Sequence, residues 1–411
     1  MRELEKRRQS RGLGALALAF CMTLCLGSPG VAAFSALPDR LSLTAGSKAY
    51  LELVLPVSAR LERGETAAQL RCDGEGVAIE AGECSGSGSL VLRLLGIVPV
   101  KEIELEVGQE RMLVPGGQPV GIAIESQGLI VVGMSDLGTA ASPARTAGLK
   151  SGDLITEIDG RAVCAPEELA AMLEPGTTAS VTVLRGGDVR TLKLTPMRDP
   201  RDGEPRIGAW VRSSTAGVGT LTYVDPETGK FGALGHAIAD MDTGVTMPVA
   251  EGGLYASGIA QIVRGQEGIP GEIVGDFLMQ PSQIGEITKN CDFGVFGENY
   301  AGELQQALPI AARSEVRTGP CEIMSAVDGT LRRYKCEIEE INWNSPNCMR
   351  TLELHVTDEE LIAHTGGIVQ GMSGSPIVQN GKLVGAVTHV LVNDPTRGYG
   401  IFIENMLDAA G

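Results

Sequence analysis

Over much of its length the chain alternates apolar and polar positions in short runs instead of repeating them at helical spacing. Leu41 and Leu43 are separated by a polar residue, and Leu51, Leu53, Leu55 and Val57 keep the same rhythm after Tyr50. A further apolar stretch runs from Leu90 to Val100. Period-two alternation sends one side of a strand to a core and the other to water. Residues 35–108 are therefore expected to form a small β domain, with no residue in it that suggests chemistry.

From residue 109 the punctuation is stronger. Gly116-Gly117 precedes an apolar strand from Val120 to Ile124, and a second strand follows from Leu129 to Gly133. A glycine-rich turn before an edge strand leaves amides free for a carboxylate or carbonyl, and the open edge can accept a peptide as an added strand. Downstream, Leu154-Ile155-Thr156-Glu157-Ile158 ends in the turn pair Asp159-Gly160. A helix is expected to open at Pro166, a residue suited to the first helical position, and to run through Leu169, Met172 and Leu173 to Gly176. Arg198, Asp199, Pro200, Arg201, Asp202, Gly203 and Pro205 read as a charged linker over 198–206.

Composition narrows the class. The 411 residues, 43% of them apolar and 55 of them glycine, suffice for two or three domains with their own cores. Aromatic residues make up only 4%, and the abundance of Gly, Val, Ile, Leu and Thr favours short strands and tight turns, so the fold class is expected to be mainly β. A formal net charge of -17 opposes association with nucleic acid or an acidic lipid surface.

The first 34 residues have a different pattern. Arg2, Lys6, Arg7, Arg8 and Arg11 precede an apolar run from Gly12 to Leu26, and small residues follow up to Ala33. This is the layout of a signal peptide or a membrane anchor, with the rest of the chain exported. Cys21 and Cys25 lie inside that run. Cys72, Cys84, Cys164, Cys291, Cys321, Cys336 and Cys348 remain, an odd number that fits no zinc spacing; Cys72 with Cys84, or Cys321 with Cys336, can pair in an exported chain.

Candidate chemistry lies in the last half of the chain. Phe231-Gly232-Ala233-Leu234-Gly235-His236 reads as a strand delivering a histidine, and an imidazole there can take a proton from a nucleophile. Gly371-Met372-Ser373-Gly374-Ser375-Pro376 is followed by a strand, an Asn380-Gly381 turn and a second strand. Serine is a poor nucleophile and must be held on a tight turn that exposes Oγ to a base and aims backbone amides at the developing oxyanion. Those amides would be Gly371 and Ser373. Ser375 is the second choice because Pro376 removes a donor and stiffens its turn. His355, His364 and His389 read as strand or helix-surface residues, His389 being the rival because it follows the serine. No metal-ligand or phosphate-cradling pattern occurs, so no cofactor is expected.

Two resemblances follow from these residues. Ala147-Gly148-Leu149-Lys150-x-Gly152-Asp153-x-Ile155, Ile158-Asp159-Gly160 and the helix after them look like a bacterial PDZ domain over residues 109–197. In that family the peptide lies between a strand, here 120–124, and the helix, which makes Gly116, Gly117, Val120, Gly121 and Ile122 the implied peptide-binding residues. The glycine-flanked serine with an upstream histidine resembles the active-site loop of chymotrypsin-like proteases, whose double β-barrel would occupy 207–411. Gly235-His236-Ala237-Ile238, Thr365-Gly366-Gly367-Ile368-Val369-Gln370, the serine motif and a preceding PDZ domain together resemble the SpoIVB peptidases, also called stage IV sporulation protein B.

That resemblance implies a serine endopeptidase exported from a forespore into the space between two membranes. There it would cleave a membrane-bound regulator of an intramembrane protease, so triggering mother-cell sigma-factor processing, and it would also cut itself. An inhibitor or regulator protein is a further possible partner. Residue by residue, the nucleophile falls on Ser373, the base on His236 and the acid on Asp358. Asp240, Asp242 and Asp292 are alternatives for the acid, and Thr357-Asp358-Glu359-Glu360 also reads as a helix start. The competing class is a non-catalytic PDZ scaffold on the outer face of a membrane.

Overall fold

The computed structural model describes residues 37–52, 57–63, 68–72, 76–94, 96–276, 282–345, 347 and 349–411. The expected signal or anchor segment, Leu53 and Leu55 of the first strands, and Cys348 lie outside the described residues. Among the described residues no helix is long and apolar enough to cross a membrane. The described residues form two compact units, one of those within 37–111, 309–318 and 340–347, the other of those within 112–308, 319–339 and 349–411.

The first unit is β throughout its core. Strands Arg40–Thr44, Val98–Gly108, Gly86–Leu94 and Val57–Arg63 neighbour one another in that order, and Lys48–Glu52, Gly76–Ala81 and Ala68–Cys72 form a second sheet. Alternation along Val98–Gly108 buries Ile103, Leu105 and Val107. They share one apolar cluster with Val77 and Ile79 of the other sheet, so the two sheets close on each other.

The second unit holds two β-barrels and a smaller module. The strands needed below are β1 (Pro119–Met134), β2 (Leu154–Ile158), β3 (Ala179–Arg185), β4 (Asp188–Leu194), β5 (Ala209–Val224), β6 (Phe231–Ala233), β7 (Glu251–Ala256), β8 (Ser282–Cys291) and β9 (Gly294–Glu298). They are followed by β10 (Gly319–Ser325), β11 (Arg332–Ile341), β12 (Leu352–Val356), β13 (Pro376–Gln379), β14 (Lys382–Leu391) and β15 (Asp394–Phe402). The helices are α1 (Pro143–Ala147), α2 (Pro166–Met172), α3 (Glu359–Thr365) and α4 (Ile403–Ala410).

Pairings β1–β7, β7–β8, β8–β9, β9–β6, β6–β5 and β5–β1 run in a ring, which closes the first barrel. Strands β10, β11, β12, β15, β14 and β13 close the second. Each barrel removes the free edges that its strands would otherwise present. The β13–β14 connection is the expected Asn380-Gly381 turn, with φ of 52° and 78°. Two barrels of six strands are the architecture that the chymotrypsin-like resemblance implied.

The boundaries differ from those read in the sequence. β1 is long enough to serve two bodies. Its first half, 119–125, is a stave of the first barrel, whereas Leu129 and Ile130 pair with β2 of the smaller module. That module is completed by α1, by α2, which begins at Pro166 as expected, and by β3 and β4. It is therefore inserted between the barrel staves β1 and β5, so the barrel starts well before residue 207. Period-two patterning cannot show this, because one uninterrupted strand carries no mark where its partners change.

Candidate active site

Strand β6 ends in a forced turn. Leu234 has φ of 70°, a left-handed conformation that costs a bulky residue on the order of 1 kcal/mol or more. It is held there by burial, at 4% exposure, and by its amide donating to the Thr220 carbonyl at 3.2 Å. The turn presents His236, whose Nδ1 lies 2.8 Å from the Ala237 carbonyl oxygen. A carbonyl can only accept, so that nitrogen carries the proton and Nε2 is left as the basic atom. Burial holds the imidazole below its ordinary value of 6.5, against the opposing bond to Ala237. A neutral base near neutral pH results.

The segment beyond His236 is clamped from two sides. Asn290 on β8 accepts from the Ile238 amide at 2.9 Å and donates to the carbonyls of Ile238 at 2.7 Å and Met247 at 2.9 Å. Asp240 winds the following turn around its carboxylate, which accepts from the amides of Asp242 and Thr243 and from the Thr243 hydroxyl. Arg212 on β5 pairs with Asp240 and with Asp242, the latter at 2.9 Å.

The serine turn is fixed by β5. Thr220 donates through its amide to the Ser373 carbonyl at 2.9 Å and through its hydroxyl to the Gly371 carbonyl at 2.7 Å. Gly374 has φ of 96°, and a Cβ there would meet the Thr220 carbonyl at 2.1 Å, so only glycine allows this approach. The amides of Met372, Gly374 and Ser375 are spent on Val369, Val387 and Met372. Among the described hydrogen bonds, the amides of Gly371 and Ser373 make none. Those are the two amides expected to receive an oxyanion. Ser375 is fully buried at 0% exposure, whereas Ser373 is half-buried. Access therefore favours Ser373 as the nucleophile.

Thr388 and His389 on β14 form the ground common to both loops. Ser373 Oγ donates to the Thr388 carbonyl at 2.8 Å. A Cβ on Gly235 would sit 3.1 Å from Thr388 Cγ2, and the rings of His236 and His389 have centroids 5.3 Å apart. His389 is half-buried on β14, a strand residue as expected. Burial first, and the neighbouring His236 and Arg350 next, push its pKa down to about 4. His355 Nδ1 lies 3.2 Å from Glu339 Oε1.

Asp358 is placed differently from the carried-over triad. It is the N-cap of α3, with Oδ1 accepting from the amides of Glu360 and Leu361 and Oδ2 from the amide of Lys335. Both carboxylate oxygens are thereby occupied, and no hydrogen bond or ion pair joins it to His236 among the described residues. The helix-start reading of Thr357-Asp358-Glu359-Glu360 describes what is observed. Asp292 is exposed in the β8–β9 connection, and Asp240 and Asp242 are engaged by Arg212. The acceptor at His236 Nδ1 is a backbone carbonyl instead of a carboxylate.

The expected peptide strand is also corrected. Val120, Gly121 and Ile122 pair with Gly219, Val218 and Gly217 of β5 on one edge and with Ala256, Tyr255 and Leu254 of β7 on the other. A strand bonded on both edges cannot accept a third. Gly116 and Gly117 donate their amides to Thr222 and Leu221. A Cβ on Gly117 would lie 2.5 Å from Leu331 and 3.1 Å from the Met324 carbonyl. In the small module the strand beside Ile130–Met134 is instead the start of β5, with Ala209 opposite Met134 and Arg212 opposite Ile130. Ala209 and Val211 pack on the cluster that contains Leu169 of α2, and among the described strands none pairs with the other edge of 209–214.

Thr220, Asn290, Arg212 and Thr388 were not singled out by the sequence. They lie in ordinary strand contexts, and their importance comes from partners between about 15 and 150 residues away, beyond the reach of local patterning. The cysteines stay unbridged among the described residues, with Cys321 and Cys336 directly opposite each other on β10 and β11.

Parts of the chain match known proteins. A PDZ domain model matches residues 120–195. A probable periplasmic serine endoprotease DegP-like of Rhizobium meliloti is 34% identical over 118 residues, 26% of this chain and 23% of its own. The magnetosome formation protease MamE of Paramagnetospirillum magneticum is 34% identical over 113 residues, 27% of this chain and 13% of its own. The chain thus spans less than a quarter of the length of either relative. Among solved structures, the active form of the Rv3671c protease from M. tuberculosis is 14% identical, with a TM-score of 0.29, over 47% of this chain and 72% of that one. The model named SpoIVB peptidase S55 matches residues 203–407, which hold His236, Ser373 and both loops that carry them, and the chain belongs to that family.

Proposed function

We propose that this protein is a serine endopeptidase in which Ser373 attacks the scissile carbonyl, His236 Nε2 accepts the hydroxyl proton, and the amides of Gly371 and Ser373 receive the oxyanion. The observation that carries this reading is that, among the described hydrogen bonds, the amides of Gly371 and of the half-buried Ser373 are unspent. In the resting arrangement Ser373 Oγ is turned toward the Thr388 carbonyl. Attack then begins with a rotation of the serine about χ1 that trades this bond for one to His236. The Ala237 carbonyl keeps Nδ1 protonated, the orienting part of a carboxylate's role, while among the described residues no carboxylate is bonded to the ring to supply the charge-stabilising part.

The PDZ module is assigned an extended peptide along the open edge of 209–214, facing α2, which supplies a protein substrate or a regulator in general. Membership of the SpoIVB family and the expected signal segment support export across a membrane. The same membership supports a place in sporulation signalling, with cleavage of a membrane-bound regulatory protein and of the enzyme itself. Incubating purified protein that starts near residue 35, as wild type and as Ser373→Ala, tests the core of this reading. Self-cleavage in the wild type that disappears in the variant is expected; equal fragmentation in both removes the nucleophile assignment and favours the scaffold.

A further inference from the structure

Strand β5 joins places that the sequence keeps apart. At its start, Arg212 stands opposite Ile130 of the PDZ module. Toward its end, Thr220 holds the serine turn. From the first of these anchors the Arg212 side chain leaves the strand to meet Asp240, four positions after His236.

Asp240 is a buried carboxylate, with a side chain at 0% exposure. Burial raises its pKa, but the bonds from Thr243 and the Arg212 guanidinium outweigh that, and the group is held below its ordinary range. A buried anion is tolerated only where it is hydrogen-bonded and neutralised. Its donors are the amides and hydroxyl that wind 240–244 into a turn, so the charge of Arg212 sustains the turn itself. Asn290 grips Ile238 and Met247 from within the first barrel. Of the two clamps on the histidine-bearing segment, Arg212 is the one whose strand is also part of the PDZ module.

We propose that Arg212 is a positioning residue for His236: through Asp240 it sets the imidazole-bearing segment from the strand that completes the PDZ module. This rests on His236 being the general base. The strut makes the placement of the base depend on where β5 lies, so that whatever shifts or stiffens 209–212 bears on catalysis without touching the site.

The test compares wild type, Arg212→Met, Arg212→Lys and the double variant Arg212→Met with Asp240→Asn, all in the full chain. Hydrogen–deuterium exchange reads the strut without reference to activity. In Arg212→Met the amides of 238–247 are expected to exchange faster while those of the β3–β4 hairpin stay as in wild type. The double variant, which removes the stranded charge, returns them part of the way. Unchanged exchange in 238–247, or an equal rise in the hairpin, overturns the strut. Kinetics read its service to the base: kcat is expected to fall about 10- to 100-fold in Arg212→Met with KM within about twofold, because small misplacement of a reacting group costs that much. Arg212→Lys restores part of the rate, since an ammonium supplies charge without the planar fork. Faster exchange with unaltered kcat overturns the positioning role. Loss of the protease reading shows separately, as cleavage by wild type that does not depend on Ser373.

Discussion

Ser373 Oγ donates its proton to the carbonyl of Thr388 at 2.8 Å. That bond turns the hydroxyl toward β14, where the ring of His236 lies against the next residue of the same strand, His389. In the proposed mechanism this bond is a weakly held alternative for the Ser373 hydroxyl. A neutral hydroxyl–carbonyl bond contributes about 1 kcal/mol net, little against the binding energy of a substrate. On the proposed reading, substrate seated on the Gly371 and Ser373 amides would release it.

Ser373→Ala is expected to lower peptide hydrolysis by about a thousandfold or more, because the attacking atom is gone. Ser375→Ala removes a hydroxyl that is fully buried and makes no hydrogen bond among the described residues. It should leave kcat within a few-fold. A fluorogenic peptide assay on both variants decides between the serines; activity lost on changing Ser375 alone would reverse the assignment.

Asp358 is expected to behave as a cap. Replacing it with Ala removes the acceptor for Glu360, Leu361 and Lys335 and should cost about 1 kcal/mol of stability, whereas Asn, itself a good cap, should cost much less. kcat should fall less than about tenfold in Asp358→Asn. An orienting carboxylate replaced by Asn costs about ten-thousandfold, so kinetics and urea unfolding on the pair of variants separate the two roles cleanly.

Much of this was legible in the sequence, and what was not shares a cause. The Asp159-Gly160 and Asn380-Gly381 turns, the helix at Pro166 and the glycine-held Ser373 are local features, set by backbone preferences within a few residues. The placement of Val120, Gly121 and Ile122 is not local. An apolar strand after a glycine pair suits an open PDZ edge and a barrel stave equally, and the choice is made by Gly217 and Leu254, which close its two edges. Asp358 is a different case. The acid was assigned by family correspondence, while the capping pattern around it, which is local, describes its bonds.

Gly374→Ala tests the seam between β5 and the serine turn. The added methyl would lie 2.1 Å from the Thr220 carbonyl and 2.5 Å from the Leu234 amide, on a backbone with φ of 96°. Overpacking and left-handed strain together should lower stability by about 2 kcal/mol or more. Because the same contact holds both Leu234 and Ser373, hydrolysis should fall more steeply than stability. Thermal unfolding and kcat measured on one preparation check this, and an unchanged Tm would show that the turn does not need the close approach.

Stability should also depend on pH through the histidines. Burial holds His236 below 6.5, and burial first, with His236 and Arg350 nearby, holds His389 at about 4. Both are therefore neutral in the fold at pH values where the unfolded chain has begun to bind protons. A group with a depressed folded pKa contributes fully above its unfolded value, and that contribution drains as pH falls toward the folded one. The window for His389 runs from 6.5 down to about 4, with a slope of up to about 1.4 kcal/mol per pH unit for one proton. Urea midpoints taken near neutral pH and near pH 5 should therefore drop with acid. His389→Gln, which cannot bind the proton, should flatten the decline. Activity should resist acid better than an ordinary histidine base would allow, since His236 stays neutral below 6.5. A pH–rate profile whose acid limb lies at or above 6.5 would show that burial does not hold the imidazole neutral.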